Sequence, residues 1–151
     1  MDAKCPDQGD RTPGHGRTRI QATAAFEGDG GCIAEARQVA TAFLGRVRSA
    51  HGLPVSVRAL DVTQLVVSEL VTNARKYAPG PVLMDLRIVA DQLEVTIWDS
   101  GPRLPVVHSA DPERPGRHGL EIVTALVESY RVSMEPVGKR VTVRIALRDA
   151  G

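Results

Sequence analysis

The sequence predicts an α+β fold, a two-layer α/β sandwich whose mixed, mostly antiparallel sheet carries its helices on one face. Three observations predict it. The strand-like runs are grouped, in the order β-α-α-β-β-loop-α-β-β, where a doubly wound parallel sheet would alternate strands with helices. Two pairs of runs are joined by short links of hairpin type, "DQ" at 91–92 and "PVG" at 136–138. The two longest helical runs each carry one apolar arc, so each has a single face to bury.

Taken in order, residues 1–18, "MDAKCPDQGDRTPGHGRT", are rich in glycine, proline and charge. Such a segment cannot bury enough apolar surface to offset its ordering entropy, so it is expected to be a disordered tail before a folded domain over 19–149. "RIQATAAF" (19–26) alternates as a strand does. Residues 31–50 place Ile33, Ala36, Val39, Ala40, Phe43, Leu44 and Val47 at helical spacing, and "HGLP" ends that helix. A second helix is expected over 56–78, stopped by "APGP". "VLMDLRIVA" (82–90) and "LEVTIWDS" (93–100) are β-rich, and a long Pro- and Gly-rich loop follows over 99–117. "GLEIVTALVES" (119–129) reads as a third helix, and "YRVSME" (130–135) with "KRVTVRIAL" (139–147) as a closing hairpin.

Composition excludes several functions. With 19 basic and 18 acidic residues the net charge is +1, which gives no electrostatic case for nucleic acid or for an anionic membrane surface. Aromatic residues make up 3%, too few for base-stacking platforms. Cys5 and Cys32 lack metal-ligand spacing and are expected to be free thiols in a reducing compartment. No apolar run approaches the ~20 residues of a membrane span, and the N-terminus has no signal-peptide core, so a cytoplasmic location is expected.

Three features carry chemistry. In the second helix Val66, Val67, Leu70, Val71 and Ala74 form the core arc, and Glu69, Asn73 and Lys76 form a polar stripe beside it, at i, i+4 and i+7. Alone, that stripe is an ordinary solvated face; at the margin of a core it is a pocket wall. "WDSG" sets Asp99 at a strand end followed by Gly101, a pattern most often used for a turn. "GRHGLEIV" puts Gly116 and Gly119 directly before an apolar helix, where backbone N–H groups and the helix dipole favour phosphate oxygens.

Together and in this order, "ELVTNARKYA", "WDSGPRLP" and "GRHGLEIV" resemble the N box and the two glycine boxes of the GHKL (Bergerat-fold, histidine kinase-like) ATPases. The resemblance runs from about residue 20 to 148. Within that family "ELVTNA" and the size of the chain look most like the bacterial anti-sigma factor serine/threonine kinases. The resemblance implies ATP and Mg²⁺ as ligands. It implies Asn73 as the Mg²⁺ ligand and Glu69 as the general base. Asp99 is the implied acceptor for the adenine amino group, and Gly101 lets the backbone pass close to the base. The phosphates are then cradled by Gly116, Gly119 and the N–H groups that follow from Leu120, under a lid over 102–118, with Lys76 and Arg117 as phosphate-contacting cations. The implied partners are an anti-anti-sigma protein and a sigma factor, with a homodimer left open. Two positions depart from the pattern: Arg103 stands where the first glycine box usually has its second glycine, and Tyr77 where the anti-sigma kinases usually have histidine. Retention of Glu69 and Asn73 favours an enzyme. Arg103 favours the alternative, a non-catalytic nucleotide-binding module that sequesters a regulatory partner.

Overall fold

The computed structural model describes residues 20–27, 31–77, 80–99, 115–136 and 138–148, with backbone alone at Tyr77 and at 115–119. The tail expected over 1–18 lies outside the described residues, as does 100–114. In chain order the elements are β1 (Gln21–Phe26), α1 (Cys32–His51), α2 (Val57–Tyr77), β2 (Val82–Val89), β3 (Gln92–Asp99), α3 (Pro115–Leu126), β4 (Ser129–Glu135) and β5 (Gly138–Ala146).

The five strands form one sheet in the order β1-β2-β3-β5-β4, and every hydrogen-bonded pair is antiparallel. Among the described residues the expected mostly antiparallel sheet is antiparallel throughout, and the connections explain it. Two helices separate β1 from β2, so the chain returns to β1's finishing end and β2 runs against it; a single-helix crossover would have made the two parallel. The single helix α3 does make β4 run in the direction of β3. The two do not pair, because β5 lies between them and runs against both.

Strand alternation gives the sheet one apolar face. Val82, Met84 and Leu86 from β2, Leu93, Val95 and Ile97 from β3, and Val141, Val143 and Ile145 from β5 are all buried. They meet Ala36, Ala40, Phe43, Leu44 and Val47 of α1 and Ala59, Val62, Val66, Val67, Leu70, Val71 and Ala74 of α2. Burying a Val, Leu or Ile side chain stabilises by about 1.5–3 kcal/mol, so this single layer of contacts dominates the energetics of the fold. The opposite face is polar. There Glu94 takes Arg87 Nε at 2.6 Å and Arg144 Nε at 3.1 Å, and Asp85 accepts from Gln21 at 2.8 Å and Thr23 at 2.9 Å.

The junctions follow from local chemistry. Gly52 ends α1 at φ 68, in the left-handed region that favours glycine, and its N–H donates to Val47 O. Ser56 caps α2: the Ala59 N–H donates to Ser56 Oγ at 2.9 Å, while the Ser56 N–H donates to Leu147 O at 2.8 Å and ties the helix start to the end of β5. The β2–β3 hairpin pairs Val89 with Gln92, so its two-residue loop is Ala90–Asp91, one residue earlier than the "DQ" link suggests. Ala90 turns the chain at φ 57.

Helix α3 begins at Pro115, four residues before its expected start, and ends at Leu126. Proline is favoured in the first helical turn, where its missing N–H is no loss. Past the helix end the Glu128 N–H donates to Arg144 O at 2.7 Å and leads the chain into β4. Among the described residues no helix is long and apolar enough to cross a membrane.

Candidate functional site

Because α2 is unbroken from Val57 to Tyr77, Glu69, Asn73 and Lys76 do share one stripe. Their burial is graded: Glu69 is half-buried, Asn73 is buried at 8% exposure, and Lys76 is exposed. Asn73 is flanked in sequence and along the helix by Leu70 and Ala74, both in the core. Glu69 and Asn73 stand one turn apart, a rise of about 6 Å. The stripe thus passes from the core margin to solvent within two turns.

Asp99 closes the inward row of β3, following Leu93, Val95 and Ile97, and is 6% exposed. It pairs in register with Val82 on one side and Lys139 on the other. Val82 follows Tyr77 by five residues, a reach of at most roughly 18 Å. The last turn of α2 and the end of β3 therefore lie at one end of the sandwich. Trp98 points to the opposite face, where the Arg140 guanidinium sits 5.0 Å from its ring centroid. The tryptophan of "WDSG" is a wall of the polar face and no part of this site.

Helix α3 packs on α2. Its C-terminal side is tied to Arg144 through Glu128, and Arg144 lies five residues along β5 from Lys139. Twelve helical residues span about 18 Å, so the first turn of α3 is the end remote from Arg144. Starting the helix at Pro115 also changes what its backbone offers. The first four N–H positions of a helix lack an intrahelical acceptor, a set that includes Gly116 and Arg117, whereas Gly119 and Leu120 fall beyond it. The Leu120 side chain packs against the core. Gly101 and residues 102–114 of the expected lid lie outside the described residues.

The structure adds one residue that the motifs did not single out. Lys139 is buried at 4% exposure, and its Nζ lies 3.6 Å from Asp99 Oδ2, with the two side chains 5% and 3% exposed. Burial pushes the Lys139 ammonium below its ordinary value, and the Asp99 carboxylate pulls it back only in part. A signal for it existed: Lys139, Val141, Val143 and Ile145 alternate, which puts the lysine on the inward face.

The donor set suits a nucleotide and a hard cation. Among the described residues no group of three or more His, Cys, Asp and Glu could hold a metal. A cation at the α2 stripe would instead take the Asn73 amide oxygen and fill its shell with waters and phosphate oxygens, the way Mg²⁺ is usually bound. At the other end of the site the buried Asp99 and Lys139 offer an acceptor and a donor, the complement of a base edge.

Residues 27–145 match the histidine kinase-like ATPase domain family, and the chain belongs to that family. Three solved structures are similar in fold. The histidine kinase domain of the Erythrobacter litoralis EL346 blue-light activated histidine kinase is 21% identical, with a TM-score of 0.49 over 76% of this chain and 70% of that one. A longer form of the same kinase is 22% identical, with a TM-score of 0.50 over 76% of this chain; the match spans 45% of its length. The Acinetobacter baumannii histidine kinase AdeS is 18% identical, with a TM-score of 0.48 over 85% of this chain and 68% of that one. No curated protein matches.

Proposed function

We propose that this protein is a Mg-ATP-binding regulator acting as an anti-sigma factor type serine/threonine kinase, with a small anti-anti-sigma protein as substrate and a sigma factor as its other partner. The observation that carries the reading is the half-buried Glu69 one helical turn from the buried Asn73, at the end of the sandwich where Asp99 closes β3. Bound Mg-ATP supplies the transferable phosphoryl group and the charge neutralisation that goes with it. The chain's own residues supply the rest. The Asn73 amide oxygen holds the cation. Asp99 accepts a hydrogen bond from the adenine amino group. Lys76, exposed at the rim, and Arg117, in the first turn of α3, neutralise phosphate charge. Glu69 takes the proton of the attacking serine or threonine hydroxyl. Work divided in this way is mostly positioning and electrostatics, as phosphoryl transfer generally is.

A second reading, a non-catalytic nucleotide-binding module that sequesters a regulatory partner, is favoured by one observation: Arg103 stands where the first glycine box usually has its second glycine. Calorimetric titration with Mg-ATP, together with labelled-phosphate transfer to anti-anti-sigma proteins that bind the chain, separates the two. Transfer to a serine or threonine of the partner supports the kinase. Nucleotide binding with no transfer to any bound partner leaves the sequestering module.

A further inference from the structure

We infer that Lys139 reads the nucleotide base: its ammonium donates to the ring nitrogen N1 beside the adenine amino group that Asp99 accepts. This rests on the nucleotide reading of the site given above.

The argument starts from the position of the pair. Asp99 and Lys139 are direct partners in the β3–β5 register and both point to the helix-covered face, with 3.6 Å between Nζ and Oδ2. Both are the last inward residues of their strands at that end of the sheet, after Val95 and Ile97 on β3 and Val143 and Val141 on β5. They therefore stand where the apolar layer stops and the C-terminal turn of α2 begins.

A purely structural role accounts poorly for them. Removing two charges from water costs several kcal/mol per ion, and a pair of apolar residues of similar volume is often as stable or more so. The inward positions beside the pair in the sheet are filled by Val82, Ile97 and Val141, so the fold accepts apolar side chains next to it. Burial works against the Lys139 charge, and Asp99 offsets only part of that cost. A buried lysine shifted in this way beside a charge partner is the kind of group that clusters at functional sites.

The chemistry of the base supplies the role. On adenine the amino donor and the ring-nitrogen acceptor N1 are adjacent. A carboxylate and an ammonium side by side match that pair in order, one accepting and the other donating. The carboxylate alone fixes only the amino group, and the lysine adds the second point that sets the tilt of the base. On guanine the same two positions carry an acceptor and a donor in the reverse order, which brings the base oxygen against the carboxylate.

Base analogues measured on the unaltered protein test this without relying on a variant that folds. ATP and 1-deaza-ATP, in which N1 is replaced by C–H, are titrated in the presence of Mg²⁺. Loss of a hydrogen bond from a charged donor corresponds to binding that is roughly 10- to 100-fold weaker. The expected result is that loss for 1-deaza-ATP in the parent and its disappearance in Lys139→Met, which binds both nucleotides alike. Lys139→Gln, which keeps a donor, retains part of the discrimination. Equal binding of the two nucleotides by a parent that does bind ATP overturns the role of Lys139 and leaves the nucleotide site standing. No binding of either nucleotide by the parent overturns both readings.

Discussion

Arg87 Nε donates to Glu94 Oε1 at 2.6 Å across the β2–β3 pair, on the face of the sheet turned away from the helices. Arg144 completes the bridge from β5 at 3.1 Å, and the Glu94 side chain is 6% exposed. Burial raises the Glu94 carboxyl, but hydrogen bonds and charge from the two arginines more than offset it and hold the group below its ordinary 4.5. A carboxyl lowered in the folded state stabilises fully above its unfolded value. That contribution is lost as pH falls through the lower, folded value. Glu94→Gln is therefore expected to lower stability at neutral pH by about 1–3 kcal/mol. The gap between variant and parent should close on acidification below about 4.5, where the parent loses stability more steeply. Melting temperatures of both proteins across an acid series measure this, and parallel curves would contradict it.

Thr63 gives the opposite kind of prediction. It lies in the core row of α2 at 1% exposure, and its hydroxyl finds no hydrogen-bond partner among the described residues. A buried hydroxyl in that state costs about 1–3 kcal/mol. Thr63→Val keeps the branched shape and removes the polar atom. Thermal unfolding should show Thr63→Val more stable by about 1 kcal/mol or more. A destabilised variant would mean that the hydroxyl is satisfied after all.

What the sequence revealed and what it hid both have local causes. The α2 stripe was legible because 3.6-residue periodicity fixes which residues share a face, whatever packs on them. The hairpins were legible from alternation, but the β2–β3 turn was placed one residue late because Ala90, at φ 57, is not a residue that advertises a turn. The start of α3 was placed at Gly119 because Pro115 and Gly116 read as loop residues, although proline also opens helices. Strand order depends on which strands pair across the sheet, a long-range property that no window of sequence contains. Lys139 was missed for a different reason. Beside Arg140 in "GKRV" it reads as one of two surface cations; its alternation with Val141, Val143 and Ile145 marks it as inward, and the register sets it opposite Asp99.

Asp99→Asn tests the adenine assignment. The substitution replaces a pure acceptor by a group that can also present a donor, and it leaves the Lys139 ammonium without the carboxylate 3.6 Å away. The polar mismatch with the base costs about 1–3 kcal/mol of ATP affinity. Some loss of fold stability accompanies it, because the buried ammonium loses its neighbouring carboxylate. Calorimetry on the parent with ATP and GTP supplies the control. Preference for ATP is expected, and equal affinity for the two would defeat the assignment of Asp99 to the adenine amino group.

The roles of Glu69 and Asn73 separate most sharply when both are changed, because one turn of α2 holds them to the same end of the site while their chemistry differs. Asn73 is buried, and in the proposed role its amide oxygen would hold the cation, so Asn73→Ala should weaken Mg²⁺-dependent ATP binding and abolish phosphoryl transfer. Glu69 is half-buried, and as the proposed general base it would act on the attacking hydroxyl more than on the nucleotide, so Glu69→Ala should leave ATP affinity nearly unchanged. Loss of a general base removes typically 10²–10⁴-fold of rate, about 3–5 kcal/mol of barrier. The measurement is paired: nucleotide titration, and single-turnover transfer of labelled phosphate to an anti-anti-sigma protein that binds the chain. A Glu69→Ala variant that transfers as fast as the parent would remove Glu69 from the chemistry. If parent and variant bind ATP equally and neither transfers phosphate to a bound partner, the stripe serves nucleotide binding alone, and the chain works by holding its partner.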